Sequence, residues 1–227
     1  MCGRAYRLFT GEALNERFAR LEGWAPLTLD LSPAYNLAPT ALTPVVFRDQ
    51  SKIKCEFMRF GLIPSWAKTL KDAAKYSLIN ARIEEVETKR TYAKPFQTQR
   101  CIIPLSGFYE WKTNEDPSKT PHAIHLKNNP ILCAAGVYEK WRNEDGAEVL
   151  SFSILTTHAN AFMKDIHDRM PVMLSEDQFS AWLDAKLTDV SQIKNLLSLG
   201  GQADLEARPV STLVNSPRNQ GPEVLNR

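Results

Sequence analysis

Hydrophobic and polar positions change period several times along the chain. Ile53, Cys55 and Phe57 alternate with Lys52, Lys54 and Glu56, which predicts a strand over 52–60. The run TPVVFR at 43–48 reads as another strand, and similar stretches follow at 100–104, 107–111, 122–127, 131–138, 149–156 and 208–214. Helical spacing is rarer. Leu14, Phe18 and Leu21 lie on one helix face, with Thr10 as N-cap and Gly23 as stop. Ser175 opens S-E-D-Q, a capping box with Gln178 at its fourth position, ahead of Phe179, Trp182 and Leu183. A further helix is expected over 189–199, ended by Gly200 and Gly201.

Segments 24–42, 63–78 and 112–121 lack a period and read as long loops, the first extended through Pro26, Pro33 and Pro39. Loops of this kind are natural places for a binding site. Many strands, few helices and no strand–helix alternation predict an α+β fold: a barrel-like, mostly antiparallel β core with a few peripheral helices. No repeat, low-complexity tract or long linker divides the chain.

Composition narrows the function classes. The chain is 43% hydrophobic and 24% charged, ordinary for a soluble protein. No apolar run approaches the roughly 18 residues of a membrane helix, and the start MCGRAYRLFTGE lacks a secretory apolar stretch. A cytoplasmic protein without membrane contact is expected. Cys2, Cys55, Cys101 and Cys133 form no C-x-x-C pair and are expected as free thiols. His122 and His125 would face opposite ways on a strand, so no metal is expected. Charge is uneven. Residues 1–100 carry 16 Lys and Arg against 10 Asp and Glu, whereas residues 101–227 carry 12 against 16. The first part could present a basic surface to a polyanion.

Met1-Cys2-Gly3-Arg4 carries the first chemistry. Removal of Met1 before a small residue would leave a 1,2-aminothiol. Its amine, with an ordinary pKa of about 7.7–8.0, is partly neutral at physiological pH. Such an amine condenses with an aldehyde, and the adjacent thiol then closes a thiazolidine ring in an intramolecular step.

Three other segments place polar groups where strands meet loops. Asn80, Arg82 and Glu84 alternate with apolar residues, so an extended chain shows them on one face. Glu110 sits in the aromatic run Gly107-Phe108-Tyr109-Glu110-Trp111, as an exposed carboxylate or as a buried acid with a raised pKa. His167 and Arg169 lie in Ile166-His167-Asp168-Arg169-Met170-Pro171, where the imidazole can move protons and the guanidinium can fork onto phosphate. Trp66 stands among Arg59, Lys68, Lys71 and Lys75, a pattern suited to stacking single-stranded bases.

Together these pieces resemble the SRAP family, the SOS response-associated peptidases or abasic-site processing proteins. The resemblance rests on Met1–Arg4, Tyr35-Asn36-Leu37-Ala38-Pro39-Thr40, Gly61-Leu62-Ile63-Pro64-Ser65-Trp66-Ala67, Asn80–Glu84, Ser106–Trp111, Thr156-Thr157-His158-Ala159-Asn160, Ile166–Val172 and the tail around Asn215 and Asn219–Glu223. These run in order along nearly the whole chain. Phe60 departs from the Trp that often precedes the Gly-Leu-Ile-Pro run.

The resemblance implies one domain over 1–227 and a pocket lined by the catalytic residues Cys2, Asn80, Glu110 and His167. It implies DNA contacts from Arg4, Trp66, Arg82, Trp111 and Arg169. The expected activity is covalent capture of abasic sites in single-stranded DNA by a monomer without cofactor, with β-elimination as a side reaction. In that scheme Glu110 is largely buried, since an exposed carboxylate would hold the amine in its unreactive charged form. Two rivals remain: a cysteine peptidase using Cys2 and His167, and a non-catalytic single-strand binder.

Overall fold

The computed structural model describes residues 2–28, 30–198 and 203–226. Met1 and the Gly200–Gly201 helix stop lie outside the described residues. Strands β1 (Ala5–Arg7), β2 (Ala34–Leu37), β3 (Leu42–Asp49), β4 (Lys52–Phe60), β5 (Asn80–Arg82), β6 (Arg100–Leu105), β7 (Gly107–Thr113), β8 (Lys119–Leu126), β9 (Leu132–Arg142), β10 (Glu148–His158), β11 (Arg169–Pro171) and β12 (Leu205–Pro209) form two sheets.

One sheet runs β12-β8-β7-β1-β2. In the other, β4, β3, β6 and β9 follow one another antiparallel, and β10 pairs with both β9 and β4. That second pairing closes a five-stranded ring. Only the β10 pairings with β4 and β5 are parallel. The expected α+β fold with a barrel-like, mostly antiparallel core is what the chain adopts.

Closure requires one strand to serve many neighbours, and β10 does so. Ser151 and Phe152 pair with β4, Ile154–Thr156 pair with β5, and Thr156–His158 pair with β11 on the other side. Val45, Phe47, Met58, Ile103, Phe152 and Ile154 pack in one cluster. Val46, Ile53, Ile102 and Leu155 face a second cluster, which the helices cover. Alternation along each strand divides the residues between the two.

The helices are short: α1 (Gly11–Phe18), α2 (Leu70–Ala73), α3 (Ala93–Thr98), α4 (Phe179–Trp182) and α5 (Val190–Ser198). Thr10 caps α1 by accepting from Ala13 N at 3.2 Å, as its sequence position predicts. The helix ends at Phe18, before the expected Gly23 stop. The capping box at Ser175–Gln178 is present and opens a 3-10 turn ahead of α4. Arg100, 5% exposed, donates to the carbonyls of Phe96, Gln97, Trp182 and Asp184. It thereby satisfies the orphan carbonyls of α3 and α4 with one guanidinium.

Four expectations need correction. The loop expected at 63–78 contains α2, and that expected at 112–121 shrinks to 114–118, because β7 runs to Thr113 and β8 starts at Lys119. The loop expected at 24–42 contains β2, which pairs with β1. The strand expected over 208–214 ends at Pro209, and 212–215 form a 3-10 turn capped by the Ser211 hydroxyl.

Candidate functional site

Alternation along β7 decides what each of its residues can do. Phe108 packs in the cluster that holds Cys2, while Tyr109 and Trp111 pack on the opposite face with Tyr6, Val210, Val214 and Leu225. Glu110 therefore points to the Cys2 side. Gly107 is needed for the sheet to come this close, since a Cβ there would collide with the Ile124 carbonyl and the Tyr6 hydroxyl.

Cys2 is fully buried, and its cluster includes Phe108, Ile154, Met163 and Met170. Those neighbours bracket the other expected catalytic residues. Phe108 is two residues before Glu110, and Ile154 is the register partner of Asn80. Met163 and Met170 flank His167 in the chain. Phe60, where the family often has Trp, stacks on Phe152 at 5.2 Å and belongs to the same cluster, so local packing is intact.

Glu110 is 3% exposed. Burial pushes its carboxyl above the ordinary carboxylate range, although nearby positive charge, His167 included, pulls the other way. The Cys2 thiol is pushed far up, by burial first and by Glu110 second. His167 Nε2 lies 3.8 Å from Glu110 Oε2, within ion-pair range but beyond a hydrogen bond.

On the other side of the ring, Nδ1 is 3.0 Å from the Arg169 backbone N and 2.8 Å from Asp168 Oδ1. These two contacts need opposite proton placements. The amide N–H can only donate, so that bond requires a bare Nδ1 and places the hydrogen of the neutral ring on Nε2, toward Glu110. A charged ring would instead give its Nδ1 hydrogen to Asp168, whose side chain is largely exposed.

Asn80 and Arg82 stand on β5 beside β10. Both polar atoms of the Asn80 amide are shielded from solvent and make no hydrogen bond among the described residues. Buried polar atoms normally find a partner, so a ligand is the natural candidate for these two. Arg82 is exposed. Trp66 is 41% exposed, edge-on to Tyr76 at 5.8 Å and beneath Arg90 at 5.9 Å, which rules out a core tryptophan.

Three of the residues expected to contact DNA have partners within the protein. Arg169 is 5% exposed and forks onto Glu84 with two bonds of 2.8 Å, with a third to the Thr156 carbonyl at 2.7 Å. Its guanidinium fastens β11 to the turn after β5. Arg4 donates from Nη1 to Asn36 Oδ1 at 2.7 Å and to the Val214 carbonyl at 2.5 Å, tying the N-terminal arm to the C-terminal tail. Trp111 is on the face of β7 away from Glu110, and its Nε1 donates to Asn215 Oδ1 at 2.7 Å.

Asn36 is a residue whose role the sequence did not disclose. It is 1% exposed, accepts from Arg4 and donates to the carbonyls of Ser216 and Asn219 at 3.0 and 2.9 Å. Its backbone carbonyl accepts from Gln220 Nε2 at 3.0 Å. His122 and His125 each set Nδ1 3.0 Å from a carbonyl oxygen, of Thr120 and Leu126 respectively. Among the described residues no cluster of three or more His, Cys, Asp or Glu could hold a metal ion, and no helix is long and apolar enough to cross a membrane.

The family model described as SOS response associated peptidase (SRAP) matches residues 1–217. The chain is 39% identical over 225 residues to the abasic site processing protein YoqW of Bacillus subtilis, covering 99% of each. It is 31% identical over 223 residues to the abasic site processing protein HMCES of Xenopus tropicalis, covering 85% of this chain and 65% of that one. A crystal structure of a protein from Bacteroides thetaiotaomicron superposes with a TM-score of 0.82 at 26% identity, covering 100% of this chain and 99% of that one. A match over 1–217 together with near full-length similarity to named relatives places the chain in the SRAP family.

Proposed function

We propose that this protein processes abasic sites by capturing them covalently in single-stranded DNA. Its named relatives are abasic site processing proteins. The observation that carries the chemical part is a buried Glu110 set between the Cys2 cluster and His167, 3.8 Å from the imidazole.

The reaction needs Met1 removed. His167 then moves a proton between the sugar oxygens, opening the closed sugar to its aldehyde. The Cys2 amine adds to C1′, one of its two protons passes to the carbonyl oxygen to make a hydroxyl, and Glu110 takes the other. The same carboxyl returns the proton to the departing hydroxyl, so water leaves and a Schiff base remains. The thiol adds across the C=N bond, sulfur to carbon and hydrogen to nitrogen, closing the thiazolidine. Burial keeps the thiol protonated until that step, which favours amine attack first.

Asn80 supplies a donor and an acceptor to the sugar. Arg82 and Trp66 contact the flanking strand through phosphate and base. Arg4, Trp111 and Arg169 hold the frame around the site. The imine also acidifies the C2′ protons, so β-elimination competes with ring closure.

Mass spectrometry of the mature protein after incubation with an abasic oligonucleotide tests this directly. The expected product lacks Met1 and carries the oligonucleotide minus one water. An unmodified mass with Met1 already removed overturns the proposal. With Cys2→Ala, the heat-stable adduct is expected to disappear and strand cleavage to rise.

A cysteine peptidase would need its base against the thiol. The 3.8 Å approach of His167 Nε2 to Glu110 Oε2 favours a role with the carboxyl. A short uncleavable extension before Cys2 separates the readings, because it abolishes aldehyde capture and leaves a thiol protease its nucleophile.

A further inference from the structure

Next to the Cys2 cluster lies a pocket of about 340 Å³ that the capture chemistry leaves unused. Phe60 and Ile79 belong both to the packing around Cys2 and to the wall of this pocket. The rest of the wall comes from the Pro39–Thr40 turn, the end of β4 and the segment 70–79. Its volume is in the range of about 300–1,000 Å³ usual for small-molecule sites.

The wall has a definite chemistry. Tyr76 is 53% exposed at the rim, with its ring against Trp66. Exposed aromatics beside cationic groups are platforms for unpaired bases. Arg59 is half-buried and pinned by a 2.5 Å bond from Nη1 to the Gly61 carbonyl, which leaves its other N–H donors available. Gly61 keeps this corner open. Its φ is +105°, which strains any side chain, and a Cβ would press on Arg59 Nη1 at 3.2 Å. Among the described lining residues Arg59 and Lys75 are cationic and none is Asp or Glu. Lys75 pairs with Asp72 at 2.8 Å, so the charged donors on offer are those of Arg59. Guanine, with O6 and N7 both acceptors on one edge, is the base an arginine reads best, whereas adenine shows an amine there.

We propose that this pocket receives the nucleobase beside the abasic sugar and prefers guanine to adenine. The proposal rests on the reading of abasic single-stranded DNA as the ligand. Arg59 meets the O6/N7 edge and Tyr76 stacks on the ring. Selectivity then comes from the neighbour of the lesion, which supplies binding that the missing base cannot.

Fluorescence anisotropy tests it without the covalent step. The probe is a labelled single strand holding one tetrahydrofuran abasic analogue, which lacks the aldehyde precursor. Guanine, adenine or a second tetrahydrofuran flanks it on the 5′ or the 3′ side. The expected result is about tenfold tighter binding with guanine than with adenine on one side, and weaker binding still with the second tetrahydrofuran. Arg59→Gln is expected to level guanine and adenine, and Tyr76→Ala to level both with the empty flank. Equal wild-type affinity for guanine and adenine on both sides overturns the inference. Failure of the capture reading shows separately, as a missing adduct in the mass spectrum, so the two cannot be confused.

Discussion

On one face of β7, Glu110 is buried beside Cys2 and His167. On the other, Tyr109 donates to the Tyr35 carbonyl at 2.7 Å and Trp111 donates to Asn215 at 2.7 Å. The outer face is arranged for stability, with apolar rings under the C-terminal tail and their polar tips hydrogen-bonded. The inner face carries an acid whose charged form its surroundings disfavour. A strand that alternates strictly can serve both ends, because each residue belongs to one face alone. The difference teaches that the strain β7 contributes to the site is confined to one of its sides, and that the other side holds the strand in place.

Glu110→Gln should break this contrast most. The amide cannot take the amine's proton, so adduct formation is expected to fall about 10²–10⁴-fold. Stability should move the other way. Below the ordinary carboxylate range Glu110 is protonated in both folded and unfolded chains, and no penalty exists. As pH rises, the unfolded chain ionises first, and stability is lost until the folded carboxyl ionises as well. Melting temperatures of wild type and variant are therefore expected to coincide near about pH 4 and to diverge toward neutrality, with the variant higher by roughly 2–4 °C per kcal/mol recovered. A variant less stable at neutral pH would show that Glu110 is not a strained group.

Asn36→Ala attacks the outer side. It removes an amide that ties Arg4, β2 and the tail together, and leaves buried carbonyls without a donor. A loss of about 2–4 kcal/mol is expected from urea denaturation. Arg169→Ala asks whether a buried charge with a partner behaves like the outer face. Breaking a buried pair costs about 3–5 kcal/mol. Glu84 is 35% exposed and can rehydrate, so about 2–3 kcal/mol is expected here. Removing the Glu84 carboxylate as well should recover part of that loss.

The barrel strands were legible because they are long and patterned, β4 being the clearest case. β1, β2, β5 and β11 have three or four residues each, too few to show a period; β1, β5 and β11 add to the longer β7 and β10, and β2 adds to β1. The reactive groups of the site were legible as chemistry: an aminothiol, an acid in an aromatic run and a histidine near an arginine. Their convergence came with the family resemblance, because nothing local says that Cys2 and Glu110 share a pocket. Partners far apart in the chain stayed hidden. Glu84 is 85 residues from Arg169, and Asn219 is 183 from Asn36. Arg169 is therefore a lone cation in the sequence and half of an ion pair in the fold. The side of β7 that Trp111 takes was legible too, since adjacent residues of a strand cannot both face one pocket.

That point yields the smallest expected effect and the sharpest test of the two faces. Trp111→Phe keeps the ring against Tyr35 and the tail but deletes the Nε1–H bond to Asn215. The bond is exposed, so its loss should lower stability by only about 0.5–1 kcal/mol. Because the side chain lies across the sheet from Glu110, the adduct rate at saturating DNA should stay within about twofold of wild type, given the near independence of groups that share no partner. A rate that fell with Trp111→Phe as far as with Glu110→Gln would mean that the tail transmits its hold on β7 to the reacting groups, and the separation of the faces would fail.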